Sequence, residues 1–219
     1  MHKELTISLT VMAAMIERRD EQADETIAAS SPLRPSVIAR ARSGEADAFE
    51  EIMLSYQRQV IGIASRLLGN PDEARDAAQE VFLRLHKYLH RLDAGKELSP
   101  WLYRVTVNVC RDIQRKRRSG TTLSLEQEQA HGTLDHLTSH HDIEGDLGTA
   151  QEKQIIAAAL ATLPEKERAA VVLRDIAGLP TKEVAQILKS SESTVRSQIS
   201  MARVKIKKYR DQVLNRRTR

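Results

Sequence analysis

From Ser36 to Leu68 the apolar positions recur three and four residues apart. Val37, Ile38 and Ala41 open the series, and Phe49, Ile52, Met53, Tyr56, Val60, Ile63, Ala64 and Leu67 continue it, which places them along one side of a helix. Gly44 interrupts the pattern once, and Gly69-Asn70-Pro71 ends it. Pro71 is expected to start a second helix, with Asp72 and Glu73 in a first turn whose dipole suits negative charge; it should run to about Leu92. Beyond a loop from Asp93 to Pro100, the stretch WLYRVTVNVCRDIQRKRR carries one apolar stripe, Leu102, Val105, Val109 and Ile113. Helical spacing resumes at Gln151 and is divided at Leu163-Pro164, Gly178-Leu179-Pro180 and Lys189-Ser190-Ser191, which predicts four more helices. No convincing period-two strand occurs, so the fold is read as all-α.

Between these patterned stretches the character changes. Ser30-Ser31-Pro32 and Pro35 punctuate a linker after an N-terminal extension, residues 1–35. Residues 119–150 hold Glu126, Glu128, Asp135, Asp142, Glu144 and Asp146 without a Lys or Arg, and their weak periodicity and polar content predict a flexible acidic linker. The chain is therefore divided into two small helical domains, 36–118 and 151–212, joined by 119–150 and followed by a basic tail, 213–219.

Charge adds a second layer. The formal net charge is only +4, yet basic residues cluster. Arg104, Arg111, Arg115, Lys116, Arg117 and Arg118 stand against Asp112, and Arg203, Lys205, Lys207, Lys208, Arg210, Arg216, Arg217 and Arg219 stand against Asp211. Two separated basic segments suit two phosphate-facing surfaces, although either is equally a solvated helix face when read alone. The single Cys110 excludes an intrachain disulfide and a cysteine zinc cluster and fits a cytoplasmic location. The apolar run Leu5 to Ile16 is too short to span a bilayer, lacks a cleavage signature, and predicts no membrane insertion. His131, His136, His140 and His141 with Asp135 and Asp142 lie in the linker, where no rigid scaffold preorganises them, so no metal site is expected. No Gly-rich phosphate loop and no nucleophile beside a base and an orienting acid are recognisable, so neither an enzyme nor a cofactor is expected.

The most specific motif is near the C-terminus. A helix of about eight residues from Thr181, a tight turn and a helix capped by Ser191 have helix-turn-helix spacing. Val184, Ala185 and Leu188 are expected to pack on Val195 and Ile199, which turns Thr194, Arg196, Ser197, Ser200 and Met201 outward as groups able to meet base edges and phosphates, with Lys205, Lys207 and Lys208 continuing along the backbone. A second feature is DAAQEVFLRL, residues 76–85, which sets a polar edge (Asp76, Gln79, Glu80) against an apolar one (Val81, Phe82, Leu85).

Taken together, ALATLPEKERAAVVLRDIAGLPTKEVAQILKSSESTVRSQISMARVKIKK resembles the promoter-binding C-terminal domain of the extracytoplasmic-function (ECF) sigma factors of bacterial RNA polymerase, and FEEIMLSYQRQVIGIASRLLGNPDEARDAAQEVFLRLHKYL with SPWLYRVTVNVCRDIQRKRR resembles their N-terminal domain. The resemblance implies a transcription initiation factor that binds core RNA polymerase, directs it to specific promoters and helps open the DNA. It implies docking on the polymerase clamp helices by Asp76, Gln79 and Glu80, with Arg84 nearby. It implies minus-ten strand contacts by Lys96, Ser99, Arg104, Asn108 and Arg111, with Arg115, Lys116, Arg117 and Arg118 on the backbone, and a packed rather than stacking Trp101. It implies minus-thirty-five recognition by Thr194, Arg196, Ser197, Ser200, Met201 and Lys205. An anti-sigma factor, as restrains many relatives, is the further partner it suggests.

The departures are local. Ala77 and Ala78 replace a common Leu-Val pair, and basic residues are usual where Gln198 and Met201 stand, so the promoter sequence is not carried over. Lys189-Ser190 replaces a turn that often begins with Gly, so Lys189 is expected in the left-handed conformation that favours glycine. The alternative is a stand-alone helix-turn-helix regulator whose N-terminal half senses or dimerises, and which binds its operator unaided.

Overall fold

The structure, a computed structural model, describes residues 35–93, 95–123 and 147–217. Among these every regular element is helical. In the first half, α1 (Pro35–Arg42) leads into α2 (Ala46–Leu68), α3 (Pro71–Tyr88) and α4 (Ser99–Leu123). The break before α3 is built as its residues dictate. Gly69 closes α2 at φ 71°, and the Asn70 side-chain oxygen accepts from the Asp72 and Glu73 amides at 2.9 and 3.1 Å. α3 stops at Tyr88, short of the expected Leu92, and a tighter 3₁₀ turn, Leu89–Arg91, follows. That turn buries Leu89 and lets Arg42 of α1 donate to the His90 carbonyl at 3.2 Å.

The core of this half lies where α2, α3 and α4 meet. Tyr56, Val60 and Ile63 of α2 pack with Val81, Phe82 and Leu85 of α3, all essentially without solvent contact. Ala74, Ala77 and Ala78 are fully buried as well, so the small residues at the unusual Ala77-Ala78 pair sit inside the packing rather than at its edge. α4 departs from its single predicted stripe. Leu102 and Val109 are buried, but Val105 and Ile113 are only partly so, and Thr106, Val107, Cys110 and Gln114 are buried instead. α4 is covered from more than one side, so a wider arc is enclosed and two polar side chains find backbone partners there. The Thr106 hydroxyl donates to the Leu102 carbonyl at 2.8 Å, and the Gln114 amide donates to the Leu67 carbonyl at 2.9 Å.

The second half contains α5 (Leu147–Ala161), α6 (Glu165–Val171) running into a π-helical turn (Val172–Ile176), α7 (Thr181–Leu188) and α8 (Glu192–Arg217). α8 packs across α5, α6 and α7. Between α7 and α8, Val184, Ala185, Val195, Ile199 and Ala202 are buried as the helix-turn-helix pattern requires. Ile187 takes the innermost place expected of Leu188, which packs at the margin. The turn is a Schellman closure: the Lys189 amide donates to Gln186 at 3.3 Å and the Ser190 amide to Ala185 at 2.9 Å. Lys189 occupies the left-handed position at φ 52°, ψ 51°, as its place in the motif predicted. Lys189→Gly is accordingly expected to stabilise the protein by ~0.5–1 kcal/mol, the relief of the Cβ clash exceeding the extra entropy of an unfolded glycine. A higher thermal midpoint without a change in helix content is the outcome to look for.

The two halves touch. α2 packs against α5 and α4 against α7, and one buried apolar cluster runs through both. Helix also enters both ends of the segment read as linker, since α4 continues to Leu123 and α5 begins at Leu147. The N-terminal extension through residue 34 and the cluster His131, His136, His140, His141, Asp135 and Asp142 lie outside the described residues.

Candidate docking and nucleic-acid surfaces

α3 presents two chemically distinct sides. Val81, Phe82 and Leu85 are buried, whereas Asp76 is exposed and Gln79 and Glu80 are half-buried on the outer edge. Arg84, one turn on, donates to Glu80 at 2.7 Å and lies 3.9 Å from Asp112 of α4. The edge is therefore an ordered row of acceptors and one guanidinium, held on a helix whose other side is rigid core. Surface ion pairs of this kind add little to folding, ~0.3–0.5 kcal/mol within a helix.

The second surface is the outward side of α4 with the loop before it. Lys96 is exposed in the loop and pairs with Asp93 at 3.7 Å. The Gly95 amide, and Lys96 secondarily, hold the Asp93 carboxyl below its ordinary range. Ser99 starts α4 and donates to the Tyr56 hydroxyl at 3.4 Å. Arg104 is exposed, Asn108 half-buried and Trp101 half-buried against the core, consistent with a packed rather than stacking tryptophan. Farther on, Arg115, Lys116, Arg117 and Arg118 are exposed. Arg115 pairs with Asp112 at 2.8 Å and Arg117 with Glu73 at 3.8 Å. Beneath this face, burial pushes the Tyr103 hydroxyl and the Cys110 thiol each up to about 12. Cys110 is thus an inert packing group, not a reactive thiol.

The third surface is the start of α8. Ser191 accepts from the Thr194 amide at 3.1 Å, so the expected cap is in place. Thr194, Arg196, Ser197, Ser200 and Met201 are all exposed. Arg196 is braced by Glu192 at 2.9 Å. Inside the same helix the Gln198 side-chain oxygen is buried with no hydrogen-bond partner among the described residues. Lys205 does not simply continue this row. Its ammonium donates to both oxygens of the buried Glu167, at 2.7 and 2.9 Å, and so fastens α8 to α6. Arg203 similarly grips Asp175 through two bonds of 2.8 and 2.6 Å, which raise its pKa.

A fourth cluster was not legible in the sequence. Glu165, at the start of α6, lies 2.8 Å from Arg118 and 3.4 Å from Arg111, both on α4. Arg168 donates to the Leu67 carbonyl of α2 at 2.8 Å and to the Ala161 and Leu163 carbonyls at 2.9 Å each. One guanidinium thus meets orphan carbonyls at the C-terminal ends of α2 and α5, where the helix dipoles favour a cation. Glu165 and Arg168 read in sequence only as first-turn residues of a helix after Pro164, since nothing local signals a partner about fifty to a hundred residues away. Among the described residues no cluster of His, Cys, Asp or Glu is arranged for a metal, and no helix is long and apolar enough to cross a membrane.

Comparisons with known proteins concern both halves of the chain. Residues 52–120 match the family model described as Sigma-70 region 2, and residues 153–206 that described as Sigma-70, region 4. The chain is similar to the ECF RNA polymerase sigma factor SigW of Bacillus subtilis (strain 168), 31% identical over 179 residues that cover 78% of this chain and 93% of that protein. It is 27% identical over 173 residues to the ECF RNA polymerase sigma-E factor of Escherichia coli (strain K12), covering 76% and 88% of the two chains. In fold it is similar to CnrH, solved in complex with the cytosolic domain of CnrY, with a TM-score of 0.58, 23% identity and coverage of 82% and 97%. It is likewise similar to the sigma factor RpoE solved with the anti-sigma factor NepR from Bartonella quintana, with a TM-score of 0.61, 21% identity and coverage of 74% and 96%.

Proposed function

The chain belongs to the ECF sigma factors, transcription initiation factors that direct RNA polymerase to promoters, and on that premise we propose which of its surfaces meets which partner. Asp76, Gln79, Glu80 and Arg84 on α3 dock on core polymerase. Lys96, Ser99, Arg104, Asn108 and Arg111 take the opened minus-ten strand, with Arg115, Lys116, Arg117 and Arg118 along its backbone. Thr194, Arg196, Ser197, Ser200 and Met201 read the minus-thirty-five element from the major groove, and Lys205, committed to Glu167, holds α8 at the correct angle beside them.

The observation that carries this reading is the coexistence, in one chain, of an exposed polar edge on α3 and an exposed row of Thr, Arg and Ser on the helix after a closed helix-turn-helix. Charged and polar contacts of the α3 kind fix orientation and partner choice, while bidentate and hydroxyl contacts of the α8 kind discriminate base edges. The division of labour explains why the chain needs no catalytic group: bond-making belongs to the polymerase, and this protein supplies address and strand capture. Flipping a base out of the stack takes a few kcal/mol, which the basic α4 face offsets by gripping the strand. We place this work in the cytoplasm and include an anti-sigma factor among the partners.

In vitro transcription with core polymerase tests the reading. Initiation from a cognate promoter is expected only when the chain is added, with weak promoter binding by the chain alone. Tight operator binding without polymerase, together with initiation that never depends on the chain, would establish a stand-alone regulator instead.

A further inference from the structure

The cations of the second half are not equally available. Arg196, Arg203 and Lys205 each meet a carboxylate of the chain: Glu192 at 2.9 Å, Asp175 at 2.6 Å and Glu167 at 2.7 Å. Lys182 and Lys189 are exposed and have no ion-pair partner among the described residues. Both border one open groove beside the helix-turn-helix turn, together with Gln186, Ser190, Ser191 and Glu192. Lys182, Gln186 and Lys189 follow one another at spacings of four and three residues, which sets them in a row along α7 and its cap. Glu192, the one carboxylate among the groove's lining residues, is turned to Arg196. The groove therefore holds two uncommitted ammonium groups. One of them belongs to Lys189, whose φ of 52° is a position that favours glycine. A non-glycine residue kept at such a position points to a use for its side chain outside folding.

We propose that Lys182 and Lys189 grip adjacent backbone phosphates of duplex DNA, at the edge of the major groove that α8 enters. The inference deepens the reading of α8 as the minus-thirty-five helix and rests on it. In a helix-turn-helix the first helix crosses the sugar-phosphate backbone while the second lies in the groove. The outer row of α7 and the turn after it therefore face phosphates rather than base edges. An ammonium is a compact point charge suited to a phosphate oxygen, and the Gln186 amide and Ser190 hydroxyl beside it are further donors of the kind that phosphates accept from. Arg203 and Lys205 meet phosphate only by giving up Asp175 and Glu167, and Gln198 and Met201 on α8 carry no charge. The turn thus supplies grip that much of α8 does not. Glycine at 189 would relieve the backbone but lose the charge, so this lysine exchanges some stability for hold on DNA.

Salt-dependent binding decides the matter. The chain assembled with core polymerase is titrated with two fluorescent duplexes across a salt series, one carrying a cognate minus-thirty-five element and one with that element scrambled. Lys189→Gly is expected to weaken binding to both duplexes about fivefold and to lower the slope of log affinity against log salt by about one, because a phosphate contact carries no sequence information. Lys182→Ala/Lys189→Gly lowers the slope by about two, and Lys189→Arg retains the parent's slope. Lys189→Gly is also expected to raise the thermal midpoint, so weaker binding by the more stable protein separates grip from folding. Lys189→Asn, neutral and tolerant of the left-handed position, repeats the loss. Unchanged affinity and slope for Lys189→Gly overturn the phosphate site. A loss confined to the cognate duplex overturns it too, since Lys189 would then be reading bases. Arg196→Ala/Ser200→Ala tests the underlying assignment separately. Reduced preference for the cognate duplex upholds α8 as the minus-thirty-five reader, and unchanged preference refutes it, whatever Lys189 does.

Discussion

Replacing Gln79 and Glu80 together with Ala is expected to weaken binding to core RNA polymerase by roughly 10- to 100-fold while barely moving thermal unfolding. The two effects separate because the two energies differ. Within the chain, Glu80 holds only Arg84, in a half-exposed i,i+4 pair worth ~0.3–0.5 kcal/mol. Against a partner, the same side chains are desolvated, and losing one member of such a pair leaves the partner group buried and unmatched, typically ~1–3 kcal/mol. A titration with core polymerase measures the loss against the partner, and a melt measures the loss within the chain. Equal affinity for the double variant and the parent would remove α3 from the docking surface. A matching loss in both measurements would assign Gln79 and Glu80 to folding instead.

The second large effect is structural. Phe82→Ala is expected to destabilise the protein by ~3–5 kcal/mol, a large share of the ~5–15 kcal/mol that a domain has in total. Phe82 is one of only two phenylalanines in the chain and has no solvent-accessible surface. Its neighbours on α3, Ala78 and Val81, are also fully buried and offer little volume with which to refill the space. The cavity therefore persists, and its loss of contacts adds to the transfer term. Denaturant unfolding monitored by circular dichroism checks the value. Because Phe82 faces the core and Glu80 faces out, Phe82→Ala lowers polymerase binding only in proportion to unfolding, and conditions that restore folding restore binding. A loss below ~1 kcal/mol would mean that the Ala77-Ala78 region is already loosely packed.

These two residues, two positions apart, also show what spacing alone can say. The alternation of Asp76, Gln79 and Glu80 with Val81, Phe82 and Leu85 was legible because a helix repeats every 3.6 residues, so composition at each position already states which side is wet. The same logic placed the helix-turn-helix core, the Ser191 cap and the left-handed Lys189, since turn chemistry is local. It was less exact wherever burial came from more than one direction. On α4 the buried set shifted to include Thr106, Cys110 and Gln114, because contacts from several helices enclose a wider arc than a single stripe. At the end of α3 a 3₁₀ turn replaced the last helical turn, tied by Arg42 from a helix 48 residues earlier.

By itself, the amino-acid sequence determined the helical elements, the Ser191 cap, the two sides of α3 and the resemblance that names the family. Each of those follows from interactions within a turn or two of chain, or from motif order. The tertiary structure alone decided the commitments of charge. Lys205 is held by Glu167, Arg84 stands between Glu80 and Asp112, and Arg111 and Arg118 share Glu165. A long cationic side chain reaches whichever carboxylate the fold brings within a few ångströms, and Coulombic attraction depends on that distance rather than on separation along the chain. Which arginines are presented to nucleic acid and which are already occupied is therefore a property of the assembled halves.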